Sequence, residues 1–279
     1  MAGLAQAQPT PDGVPEKAAR LAYIALSAFA RVFSILVLLV AWEWLARSGR
    51  FTHYQLPALT AVLERIWSDA WAGDLFINAG LTLYRALVSF AICAVGGVAI
   101  GMAMSRNKIA NWFFDPIISV GFPMPKIAFL PVVILWLGVY DVSKITIIVV
   151  DAIFPVIAAT VIAIQGVERE LIWSARNMGA TNREVLTQVV LPAALPQILT
   201  GLQVALPLTL IVAVVAEMLM GGYGLGGAMM TASRFANSTG VFAGIVEIAV
   251  IGYCLVKAMA MVRRRLLIWH QEANEPTTA

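Results

Sequence analysis

The chain has 279 residues, 60% of them hydrophobic and only 13% charged, with a mean hydropathy of +0.84. Soluble domains are nearer half apolar and a quarter charged, so this composition excludes an ordinary soluble domain and makes the lipid bilayer the expected solvent. The net charge of +3 and pI of about 9.0 come from few groups, with no basic stripe interleaved with aromatics; basic loops between membrane segments account for them, and no nucleic acid is expected as a partner.

Residues 1–20 are rich in Ala, Gln and Pro and lack an apolar core, which predicts a mobile tail and not a secretory leader. A membrane helix needs about 20 mainly apolar residues. Six segments meet that length: 24–45, 79–104, 117–138, 145–165, 198–219 and 240–262. The expected domain is therefore a six-helix, all-α integral membrane unit over 21–270, followed by a tail over 271–279. Before the second span, Leu59, Val62, Leu63, Ile66 and Trp67 recur at helical spacing, which predicts a short amphipathic helix over 58–71.

Lys and Arg in the loops set the orientation. With the N-terminus inside, the inner loops hold Lys17, Arg20, Arg106, Lys108, Arg169, Arg176, Arg183 and Arg263 to Arg265. The outer loops hold Arg47, Arg50, Arg65, Lys144 and Arg234. The inner side leads by 10 to 5, leaving aside charges within spans. Both termini and the loop over 168–196 are then expected in the cytoplasm.

Pro123, Pro125 and Pro131 open the third span. Prolines free backbone groups that neighbours or a wet cavity must satisfy, so this is either a packed kink or part of a gate. Charges inside spans are costly and usually face protein or water. Lys126 and Asp151 fall at similar depth in adjacent spans and are expected to pair. Glu217 lies near the outer end of span five. A structural ion pair and a solute contact are both open for these charges. Lys257 is read as snorkelling to the inner interface.

The loop over 168–196 carries six charges in seventeen residues: Glu168, Arg169, Glu170, Arg176, Arg183 and Glu184. At about 100° per residue, Leu171, Ile172, Ala175 and Met178 share one helix face, while Trp173 falls with the polar residues opposite. Gly179 is placed to end that helix. Thr181 or Asn182 then caps a second one, with Glu184 in its first turn. Val185, Leu186, Val189 and Val190 line its apolar face, and Pro192 and Pro196 are expected to bend or end it.

Gly222-Tyr-Gly224-Leu-Gly-Gly227 matches G-x-G-x-x-G. A dinucleotide site would need a strand before it; after a membrane span, the glycines instead predict a tight external turn. Cys93 and Cys254 lie in apolar runs and His53 and His270 lack ligand spacing, so no metal, cofactor or disulfide framework is expected. No catalytic set and no P-loop are found.

The spacing of the 168–196 loop resembles the cytoplasmic coupling loop of ABC-importer permeases, whose pattern is Glu-Ala-Ala, three residues, Gly, about nine residues, then Ile/Val-x-Leu-Pro. The matching residues are Trp173-Ser174-Ala175, Gly179 and Val189-Val190-Leu191-Pro192. Met178-Gly179-Ala180-Thr181 and the run from Val189 to Leu202 are similar to the branch importing nitrate, sulfonates and taurine. The resemblance covers Leu56 to Arg265 and departs at Trp173, where the family has Glu. It implies a type I importer-like fold with a two-helix coupling loop. It also implies a permease homodimer, two copies of a separate ABC ATPase docked on Trp173 to Thr181 (with Ser174, Ala175, Arg176, Asn177, Met178, Gly179 and Ala180 between), and an external solute-binding protein. Pro123, Pro125, Lys126, Asp151 and Glu217 would then lie along the path of a small anion. The alternative is an ATP-independent carrier or channel, which would couple through midplane charges but gives no reason for such a loop.

Overall fold

The structure, a computed structural model, describes residues 33–267. The expected tails and the start of the first span lie outside the described residues. Among the described residues the chain is helical, with no strand. It divides into two compact units, Met1–Ala61 and Val62–Ala279.

In the first unit, helix α1 (33–47) leads to a turn closed by polar contacts. Trp42 donates from Nε1 to the Pro57 carbonyl at 3.0 Å. The Glu43 carboxylate accepts from Arg47 Nε at 2.6 Å and from the backbone N–H of Thr60 at 3.3 Å. That second bond satisfies one of the four orphan donors at the start of α2 (Leu59–Ala72). The amphipathic segment expected over 58–71 is this helix.

The second unit continues with α3 (Asp74–Arg106), α4 (Lys108–Gly121), a 3₁₀ turn (Lys126–Phe129), α5 (Leu130–Leu137) and α6 (Asp141–Gln165). After these come α7 (Arg169–Asn177), α8 (Asn182–Glu184), α9 (Leu191–Met220), α10 (Leu225–Arg234) and α11 (Ser238–Leu266). Its centre is the trio α3, α6 and α9. Buried Cys93, Ala152, Val156 and Ala205 lie where the three meet. Lipid tails are as apolar as these side chains, so close packing, and not escape from water, holds such helices together. Small residues make the approach possible. A methyl on Gly97 would come within 2.8 Å of Val156, and one on Gly101 within 2.6 Å of Thr160. Gly201 packs likewise on Ala159.

Among the described residues, α3, α6, α11 and the continuous helix Asn182–Met220 are long and apolar enough to cross a membrane. The third expected span, 117–138, is not one helix. α4 starts at Lys108, well before 117, and meets Lys126–Leu137 at 92°. Pro123 and Pro125 explain the break, since neither has an N–H to carry the helical ladder through it. Pro192 and Pro196 do not end the helix. A π-turn, Val185–Val190, joins α8 to α9, and the helix runs on through both prolines to Met220. Pro192 follows that π-turn directly.

Candidate functional site

The α7–α8 loop is built by two matched caps. α7 ends in a Schellman motif: the N–H of Ala180 donates to the Ala175 carbonyl at 3.1 Å, and that of Gly179 to Arg176 at 2.9 Å. Gly179 takes φ +87°, the left-handed conformation that closes this motif. Thr181 then caps α8 in a capping box with Glu184. The Glu184 carboxylate accepts from both the hydroxyl and the backbone N–H of Thr181, each at 2.7 Å. Those bonds hold its carboxyl below the usual glutamate range.

Beneath the loop, Ala175, Val185 and Val190 are buried with Ala163, Ile164, Ala194 and Ile198, and Leu186 and Val189 pack against them. The upper face is open. Trp173 is 57% exposed and Met178 81%, and Ser174, Arg176 and Asn177 are exposed beside them. In this chain Trp173 is therefore not packed beneath a neighbouring loop.

The Gly179 position has no atom within 4 Å of an added Cβ, so alanine there meets only backbone strain. That strain is about 1–2 kcal/mol. In Gly179→Ala, amide exchange at Ala180 should therefore rise about 5- to 30-fold, with amides in α6 unchanged. Equal exchange in both proteins would mean the motif does not hold the loop.

The break between α4 and α5 carries the expected ion pair. Lys126 is only 9% exposed. Its ammonium donates to the Phe122 carbonyl at 2.9 Å and lies 3.8 Å from an Asp151 carboxylate oxygen. It also stands 4.9 Å from the centre of the Phe154 ring and 5.8 Å from that of Phe122. Gly121 lets Phe154 lie this close, because a Cβ there would meet the ring at 2.6 Å. Asp151 is ten residues into α6, about 15 Å from its start, half the thickness of a hydrocarbon core. Phe122, Pro123, Met124 and Pro125 are all exposed. Irregular backbone at membrane depth does not face lipid, so this break has to meet protein or water.

A second ionic cluster lies at the other end of α9. Glu217 is fully buried. Its carboxylate accepts from Arg85 Nη1 at 2.6 Å, from the Thr82 hydroxyl at 2.9 Å and from the Gly226 N–H at 3.1 Å. Arg85 also donates to Asp141 at 2.9 Å and to the Tyr223 carbonyl at 2.7 Å. The glycine-rich turn wraps this cluster. Gly221, Gly222 and Gly224 all take positive φ, and the Glu217 carboxylate occupies the place a Gly224 side chain would need. The expected tight turn is there, and its purpose is to close over a carboxylate.

Arg85 is absent from the expected site residues, although it is the single charge in 79–104, the kind of residue that signals a buried partner. Lys144 is expected among the outer-loop charges. Lys144 is instead 3% exposed, its ammonium donating to the Gly221 carbonyl at 2.8 Å. Being near a helix start hid its burial, which depends on how the distant glycine turn folds back.

Residues 95–268 match the family described as binding-protein-dependent transport system inner membrane component. The taurine transport system permease protein of Escherichia coli is 31% identical over 246 residues, covering 86% of this chain and 90% of that protein. A Bacillus subtilis protein named for aliphatic sulfonates transport is 32% identical over 233 residues, covering 84% of each. Among solved structures, a chain of an inward-facing methionine ABC transporter superposes with a TM-score of 0.63 at 21% identity, covering 71% of this chain and 98% of that one.

Proposed function

This chain belongs to the family of binding-protein-dependent transport system inner membrane components, and we propose that it carries a small sulfonate-like anion along a path beside the α4–α5 break. It is a multi-pass membrane permease subunit of an ABC importer, and it works with an ATPase and a binding protein. The relatives named for taurine and aliphatic sulfonates support a sulfonate-class solute. In our reading two permease copies pair, and two ATPase subunits dock on Trp173 to Thr181 from the cytoplasm. The external binding protein delivers solute on the opposite side.

One observation carries this reading. The exposed α7–α8 loop is capped at both its turns and runs without a break into α9, one of the three central helices. A push on the loop is therefore a push on the membrane core. The path in this reading passes Pro123, Pro125, Lys126 and Asp151. Glu217, with every bond taken up inside the protein, serves to fix the outer end of α9 against α3.

Topology tests the reading directly. In a variant lacking Cys93 and Cys254, single cysteines at Asn182 and Ser238 are treated with an impermeant reagent. In intact cells Ser238→Cys should label from outside and Asn182→Cys only after permeabilisation, and a P-loop ATPase should co-purify. Labelling of Asn182→Cys from outside would overturn the orientation and the docking with it.

A further inference from the structure

We propose that the Lys126 ammonium is the charge-selecting contact for the passing anion, and that Asp151 is its resident counter-ion, displaced as the solute goes by. This rests on the importer reading above and assigns the chemistry of its path.

The argument comes from comparing the two ionic clusters of this one molecule. In the Arg85 cluster the bonds are 2.6–2.9 Å long, the lengths of fully formed charge-assisted hydrogen bonds. Glu217 is wholly enclosed. Glu217 cannot be exchanged without opening the fold, although Asp141, held by the same guanidinium at 2.7 Å, is 47% exposed. The Lys126 cluster is built differently. Its ammonium and Asp151 are 3.8 Å apart, beyond a hydrogen bond, and Asp151 keeps 27% of its side chain exposed. The ammonium is held mainly by groups that carry no net charge, the Phe122 carbonyl and the faces of Phe154 and Phe122. These fix its position without neutralising it. An ammonium has three donors, and one firm bond to Phe122 leaves donors for an incoming oxyanion.

The location fits the same use. The cluster sits at mid-depth, against a stretch of exposed irregular backbone that must face water or protein. A sulfonate oxygen reaching Lys126 gains a partner in a poorly solvated place. The loosely held Asp151 carboxylate, still near by, competes for the same ammonium and lets the anion leave. A neutral solute of the same shape gains nothing from Lys126.

The test uses the permease expressed with its own ATPase and binding protein in cells lacking the chromosomal copies. Uptake is measured for taurine, methanesulfonate and dimethyl sulfone, the last a neutral match to methanesulfonate. The permeases are wild type, Lys126→Met, Asp151→Asn, Lys126→Met/Asp151→Asn and Lys126→Arg. ATPase co-purification is scored for each. Wild type should take up at least one sulfonate and exclude dimethyl sulfone. Lys126→Met should lose uptake at least tenfold, and Lys126→Arg should keep most of it. The double variant, with no stranded charge, should assemble as wild type does while its uptake stays at least tenfold down. If the double variant assembles and transports as wild type does, the pair is only a structural tie and the proposal is overturned. If wild type holds its ATPase but imports the neutral sulfone as well as the sulfonates, the charge-selecting role falls while the importer reading stands. If no ATPase accompanies the chain and uptake is indifferent to ATP, the importer reading falls and this proposal with it.

Discussion

Arg85→Met should destabilise the permease by about 3–5 kcal/mol, because it strands a carboxylate that has no access to solvent. Glu217 would keep its bonds from Thr82 and Gly226 but lose the cation that balances it. Asp141, 47% exposed, would feel the loss less, since water can solvate it. Unfolding by SDS from mixed micelles measures the effect. In the same assay Arg85→Met/Glu217→Gln should recover much of the loss, because glutamine can still accept from Thr82 and Gly226 and carries no charge. A loss below about 1 kcal/mol for Arg85→Met would place the pair among solvated ion pairs and overturn the account of the glycine turn as a closed cage.

Trp173→Ala should weaken ATPase association about thirtyfold or more, the loss of about 2 kcal/mol expected for a buried aromatic anchor. Trp173 is 57% exposed, on the side of α7 that carries its polar residues. A large apolar ring open to water there suits a pocket on a partner. Where relatives offer a charged Glu contact, this chain would offer apolar burial. Trp173→Glu should therefore favour a relative's ATPase over the native one. Detergent pull-downs give the association and melting of the isolated permease gives the control. Unchanged association with a lowered melting temperature would mean that Trp173 works for its own subunit only.

The parts of this architecture that were legible in the sequence are those fixed by local chemistry. Gly179 ends α7 as its spacing implied, and of the two expected caps Thr181 is the one that forms, with Glu184 closing a box on it. Apolar length gave the cores of the spans after residue 79 except the third, and opposite charges at similar depth gave Lys126 with Asp151. What stayed hidden depends on distant segments. The 92° break needed more than a reading of apolarity, because proline permits both a kink and a passage. Pro192 and Pro196 show the second outcome, where a π-turn absorbs the mismatch. Lys144 looked like a loop charge because its partner is a carbonyl 77 residues away. The need for Gly97 and Gly101 shows only when α6 lies against them.

The Arg85 cluster also imposes a timetable on biogenesis. Asp141 follows Arg85 by 56 residues and Glu217 by 132. At ribosomal speeds of about 5–20 residues per second, the first partner emerges about 3–11 s after the arginine and the second about 7–26 s after it. During that wait α3 has to stay in or beside the translocon with an arginine whose cost at a helix centre reaches about 2.5–3.5 kcal/mol. Asp141 arrives first and offers interim neutralisation. Only when the chain has been made past Gly226 can Glu217 be bonded in place and the glycine turn shut over it. A nascent chain cut before Asp141 would leave a lone arginine in the bilayer, and one cut between Asp141 and Glu217 an arginine with only its half-exposed partner.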